Sequence, residues 1–115
     1  MLKITNQQLD AMLALKEAEA NRILAERAIV RFPTTTRQIS GDELLLTAVR
    51  ARSSAKQFGI DREDNVAIFF DLTIMYGVEF FNEPWASEIL FCSTLHGPDK
   101  MALLCHLIRS EGVNL

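Results

Sequence analysis

No stretch of this sequence alternates apolar and polar residues for long enough to make a half-buried strand, so a sheet protein is not expected. No apolar run approaches the ~18 residues that would suggest a membrane span. After Met1, Lys3 separates Leu2 from Ile4, and Thr5 and Asn6 follow, so no secretory signal is expected. Cysteine is scarce: Cys92 and Cys105 are too few for a disulfide framework. Together these absences predict a cytoplasmic chain that does not engage a membrane.

Catalytic signatures are missing too. There is no glycine-rich phosphate loop, no HExxH, no G-x-S-x-G and no kinase set. The net charge of −3 excludes a nucleic-acid binder held by overall charge. The expectation is a protein that is not an enzyme, with no catalytic residues, no metal and no cofactor.

What is present is the composition of a globular domain. Hydrophobic residues make up 49% and charged residues 23%. With 115 residues, positions 1–115 should form a single helical domain large enough to bury a core unaided. Charge is uneven along it. Residues 1–58 carry nine Lys/Arg and six Asp/Glu, a balance of +3, and residues 59–115 carry three and nine, a balance of −6. Either the halves pair across the fold, or the second half offers an acidic face to a basic partner.

The rest of the chain is organised around Asp61–Gly77, DREDNVAIFFDLTIMYG. At about 100° per residue its apolar side chains cover roughly two thirds of a helix circumference. Val66, Phe69, Phe70, Thr73 and Gly77 share one side, with Ile68, Leu72 and Tyr76 beside them. Only a strip through Asp64, Ala67 and Asp71 suits water. This should be a central helix, wrapped by its neighbours.

The other elements follow from start and stop signals. Thr5 and Gln8 form a capping box, opening a helix over about residues 6–31. Its apolar stripe reads Leu9, Met12, Leu13, Ala20, Ile23, Leu24 and Ala28, and its charged face Lys16, Glu17, Glu19, Arg22, Glu26 and Arg27. At ~39 Å it is longer than a compact domain needs, so one end should project or serve a partner. Pro33 stops it, and Phe32–Ile39 reads as a loop. Ser40 and Glu43 form a second capping box for a helix to about Phe58. Leu45, Val49, Arg52 and Lys56 lie on one line of that helix, and Leu44, Ala48, Ala51 and Ala55 on another. Gly59 and Ile60 fit a Schellman ending, and Asp61 should cap the next helix. Asn82 should cap a short helix with Pro84 in its first turn and Trp85, Ile89 and Leu90 buried. The last helix starts at Gly97-Pro98-Asp99, buries Met101, Leu104, Cys105 and Ile108, and ends at Gly112.

Few side-chain groupings carry chemistry. Cys92 with His96, and Cys105 with His106, are metal-ligating types at spacings that fit paired-ligand patterns poorly. Asp61, Glu63 and Asp64 are explained by the positive end of the helix dipole, or else hold a divalent metal or face a basic partner. Arg50, Arg52, Lys56 and Arg62 are either a patch for an acidic partner or counter-charges for the acidic half. Phe80, Phe81 and Trp85 around Pro84 are either core plugs or an exposed partner anchor.

Phe58-Gly59-Ile60 followed by acidic residues, a helix ending in Gly77, Phe80, Pro84-Trp85-Ala86 and Ile89-Leu90 occur here in order. With Ile4 to Leu13 and Phe32-Pro33, this series resembles small all-helical bacterial proteins of unassigned chemistry. Those proteins are encoded beside type VI secretion and polymorphic-toxin effectors. The likeness spans most of the chain and departs at Phe81, where the pattern has an Asp. The resemblance implies a cytoplasmic binding protein for a co-encoded effector or toxin, either an immunity protein or an adaptor/chaperone, acting by steric occlusion. Candidate partner-binding residues are Glu63, Asp64, Asp71, Glu79 and Glu83 for charge, with Phe81 and Trp85 as anchors. The alternative is a self-associating structural module with no effector partner, a homodimer paired through the first helix. The expected fold is all-α, a compact bundle of about five helices with the first longest and the third central and buried.

Overall fold

The structure, a computed structural model, describes residues 5–110 and is all-α, with no strand among those residues. Six helices follow in order: α1 (Asn6–Arg31), α2 (Pro33–Thr36), α3 (Gly41–Gln57), α4 (Glu63–Tyr76), α5 (Pro84–Leu90) and α6 (Gly97–Ser110). A 3-10 turn at Phe80–Asn82 links α4 to α5. The helix beyond the expected five is α2, one turn inside the segment read as a loop. Pro33 sits at its first position, where a missing N–H costs nothing. The hydroxyl of the buried Thr36 donates to the Phe32 carbonyl at 2.8 Å.

The α1 capping box is complete. The Gln8 N–H donates to Thr5 Oγ1 at 3.1 Å, and the Thr5 N–H to Gln8 Oε1 at 3.0 Å. Its buried face matches the expected stripe only at Leu24 and Ala28. Asn21, Leu24, Ala25 and Ala28 are buried, whereas Leu9, Met12, Leu13 and Ile23 are exposed, Leu13 at 54% and Ile23 at 51%. There are two physical reasons. Every residue from Thr5 to Glu19 is exposed, so nothing covers the N-terminal part of the helix. Further along, small residues set the contact: Ala25 and Ala28 on α1, with Ala48, Ala51 and Ala55 buried on α3, let backbones approach closely. The projecting arm also explains the radius of gyration of 15.6 Å, above the about 13 Å of a compact chain this long.

On α3 the Ser40 hydroxyl accepts from the Glu43 N–H at 3.1 Å, one half of the expected box. The alanine line is buried as expected. The Schellman ending forms: the Gly59 N–H donates to Lys56 O at 3.0 Å and the Ile60 N–H to Ala55 O at 2.9 Å. Gly59 takes φ 77° there, and Ile60 is fully buried. The turn uses more chain than expected, so the cap of α4 is Arg62 rather than Asp61, and no side chain caps it.

Helix α4 is central, packing on α1, α3, α6 and the 3-10 turn. Val66, Phe69, Phe70, Leu72 and Thr73 are buried. Truncating a phenylalanine such as Phe70 in such a core typically costs about 3–5 kcal/mol. Two positions differ from the periodic reading. Asp71, assigned to the water-facing strip, is 2% exposed. Gly77, assigned to the buried side, is exposed and stops the helix with φ 106°. Beyond it, α5 is capped at Glu83 rather than Asn82, with Ala86 and Leu90 buried and Trp85 and Ile89 half-buried. Helix α6 buries Met101, Leu104 and Ile108, while Cys105 is half-buried. The expected stop at Gly112 lies outside the described residues. No helix among those residues is long and apolar enough to cross a membrane.

Candidate functional site

Three polar or aromatic groupings stand out against this frame, and the partners of each decide what it can do. In the first, Arg52 on α3 reaches across to α1 and α4. Its Nε donates to Asn21 Oδ1 at 2.6 Å, and its two terminal nitrogens donate to the Glu63 carboxylate at 2.7 and 2.8 Å. Hydrogen bonding from Arg52 holds the Glu63 carboxyl below the usual carboxylate range. Beside the pair is an open cleft of about 390 Å3, whose lining includes Lys16, Glu17, Lys56 and Asp61. Charges of both signs line it, and each of the three guanidinium nitrogens of Arg52 already makes a hydrogen bond. Arg52 and Arg62 therefore act as counter-charges, Arg62 donating to Asp64 at 2.9 Å.

In the second, Asp71 is the buried partner of two arginines from α1. Arg27 grips it bidentately at 3.0 and 2.9 Å, and Arg31 Nε lies 3.4 Å away. Arg27 also donates to the Ala67 carbonyl at 3.3 Å. Burial pushes the Asp71 carboxyl up, against the pull of both guanidiniums. Among the predicted site residues, then, Asp71 is corrected: a carboxylate 2% exposed and held by two arginines ties α4 to α1 and is not presented to a partner.

The third grouping is the segment after α4. Phe80 is buried between Phe69 at 4.9 Å and Trp85, which stacks on it at 6.1 Å. Phe81 is half-buried, its ring 5.6 Å from Phe58. Trp85 meets the exposed Tyr76 edge-on at 5.2 Å. Phe81 and Trp85 thus divide between the two readings, one part of each plugging the core and one part facing water. Sequence reasoning missed the two most open apolar residues of this segment, Val78 at 50% and Phe91 at 61% exposed. Phe91 is nonetheless held in place, edge-on to Phe58 at 5.0 Å. Glu79, Glu83 and Glu88 are exposed in the same segment. A signal for it was in the chain: from Glu63 to Asp99 there is no lysine or arginine.

The predicted residues therefore separate. Glu63 and Asp64 sit at the start of α4, in ion pairs with Arg52 and Arg62. Glu79, Phe81, Glu83 and Trp85 come together in the segment Tyr76–Phe91. No family model, no curated protein and no solved structure matches this chain.

The cysteines and histidines do not combine. Among the described residues no group of three or more His, Cys, Asp or Glu is placed to hold a metal ion. Cys92 Sγ lies 3.2 Å from Thr94 Oγ1, a contact that draws its thiol below the usual range, while burial pushes the Cys105 thiol up. Lys100 was not foreseen in any role. It is buried, and its Nζ donates to the Phe58 carbonyl at 3.1 Å. That places a cation at the C-terminal end of α3, where the helix dipole favours one.

Proposed function

We propose that this chain is a binding protein for a basic protein partner, docking through the segment Tyr76–Phe91. The observation that carries the reading is the coincidence of apolar and acidic exposure there. Tyr76, Val78 and Phe91 are open, Trp85 is half-open, and Glu79, Glu83 and Glu88 are exposed in the same segment, which itself carries no lysine or arginine; the neighbouring Lys100 is buried against the Phe58 ring. Aromatic side chains supply most of the energy at protein interfaces, and a charge of one sign around them steers encounter and rejects wrong partners. The rings are pre-positioned by Phe58, Phe69 and Phe80, so little side-chain freedom is lost on docking.

The resemblance to proteins encoded beside secreted effectors supports a partner of that kind, with this chain as its immunity protein or its loading adaptor. Binding occludes the partner sterically, and no chemistry is required of either. Capture from the native host tests the reading. The wild-type chain should retain the neighbouring effector, and the double variant Glu79→Lys, Glu83→Lys should lose it. Recovery of the same partner by both proteins, or of no such partner while the effector is expressed, would remove the proposal. Co-expression with the effector then separates the two roles, since only an immunity protein rescues growth when secretion is irrelevant.

A further inference from the structure

More than half of α1 has nothing packed on it. Every residue from Thr5 to Glu19 is exposed, and Leu9, Met12, Leu13 and Leu15 are among them. An unsupported helix of that length is marginal in water, because its stability comes from burying an apolar face. The packed face of α1 is the line Asn21, Leu24, Ala25 and Ala28. At 100° per residue, a second line through Leu9, Met12, Lys16, Glu19, Ile23 and Val30 lies about 150° round from it. The residues of that seam are exposed, Val30 at 80%, although the Lys16 side chain also borders the cleft shared with Arg52 and Glu63. Leu9, Lys16, Ile23 and Val30 recur every seven residues, the repeat that lets one helix follow another, and Met12, Glu19 and Glu26 fill the alternate positions.

We infer that this seam pairs with the same seam of a second copy of the chain, antiparallel and two-fold symmetric. Charge selects the direction. A parallel pair would set Lys16 against Lys16 of the partner subunit and Glu19 against Glu19 of the partner subunit, both repulsive. An antiparallel pair sets Lys16 against Glu19 of the partner subunit, and symmetry repeats the contact; Glu19 is already paired with Arg22 within each chain, so Lys16 joins an existing ion pair. The same register places Met12 against Ile23 of the partner subunit on either side, and Leu13 beside Ala20 of the partner subunit. Leu9 then meets Glu26 of the partner subunit, a carboxylate that Arg22 engages within each chain. The overlap is about 18 residues, or ~27 Å. Such a helix pair buries less than the ~1,200 Å2 of a stable interface, so the dimer is weak and reversible.

This pairing uses a different surface from the segment Tyr76–Phe91, so either conclusion stands without the other. Sedimentation over a range from micromolar to millimolar protein is the test, with far-UV circular dichroism confirming that each variant stays helical. The wild type should pass from monomer to dimer. Lys16→Glu and Glu19→Lys, each alone, should weaken the dimer at least about tenfold. Combining both changes in one chain should restore it, since the exchanged charges again face each other in the antiparallel register. A wild type that stays monomeric throughout overturns the inference. So does a dimer that either single change leaves intact, or that the combined variant fails to recover.

Discussion

Asp71 is the residue at which a periodic reading fails. Its neighbours on the helical wheel, Asp64 and Ala67, suggested a solvent-facing strip, and no rule based on spacing within α4 could reveal Arg27 and Arg31 on another helix. Burial of an acid is tolerated there because two guanidiniums meet it. Replacing Asp71 with alanine should cost about 2–4 kcal/mol in urea unfolding, since it strands the arginines, and Asp71→Asn should cost less. Equal losses from both, or none, would argue against the bridge. Glu63 makes the opposite use of charge at the surface. Its carboxyl is held below its ordinary value of 4.5, so its stabilising contribution is full above that pH and is lost as pH falls through the lowered value. Glu63→Gln should therefore flatten the loss of stability on acidification below pH 4.5 relative to wild type, and parallel curves would contradict this. The two thiols give a third residue-scale check. Iodoacetamide at neutral pH should label Cys92, lowered by Thr94, before Cys105, raised by burial. Labelling in the reverse order would contradict those assignments.

At the scale of elements, caps and stops were the most legible features. Thr5 with Gln8, Ser40 with Glu43, and Gly59 with Ile60 each satisfy backbone groups that would otherwise lack partners, and that chemistry is local. Which face each helix buries was less legible. On α3 the alanine line pointed correctly, because small residues in a row have few other uses. On α1 the leucines misled, because apolar periodicity reports a face that wants covering and not what covers it. One close approach between elements was invisible in the sequence. A Cβ built on Gly97 would lie 2.0 Å from the Gly59 carbonyl oxygen and 3.1 Å from Ile60 Cα. Helix α6 begins there, against the α3–α4 corner, with Lys100 joined to the end of α3. Gly97→Ala should therefore lose about 3 kcal/mol or more by forcing backbones apart. Gly59→Ala, whose Cβ would make only an ordinary contact with Gly97 N at 3.8 Å but at φ 77°, should lose only about 1–2 kcal/mol. A Gly97→Ala protein as stable as wild type would mean α6 does not dock as described.

For the whole molecule, the all-α class followed from absent alternation and strong helix signals, and the projecting arm from the length of α1. The candidate site was half legible. Glu79, Phe81, Glu83 and Trp85, named from their residue types, do lie in one partly open segment, but Glu63 and Asp64 have cationic partners. Val78 and Phe91 were missed because single apolar residues beside a helix end carry no periodicity. The central claim is that the acidic, aromatic stretch from Tyr76 to Phe91 receives a basic protein. Amide hydrogen exchange on the chain alone and bound to the captured partner tests this most directly. New protection should appear across Gly77–Phe91 on binding, with α3 unchanged. Protection gained elsewhere, with that stretch exchanging as freely as before, would contradict the account.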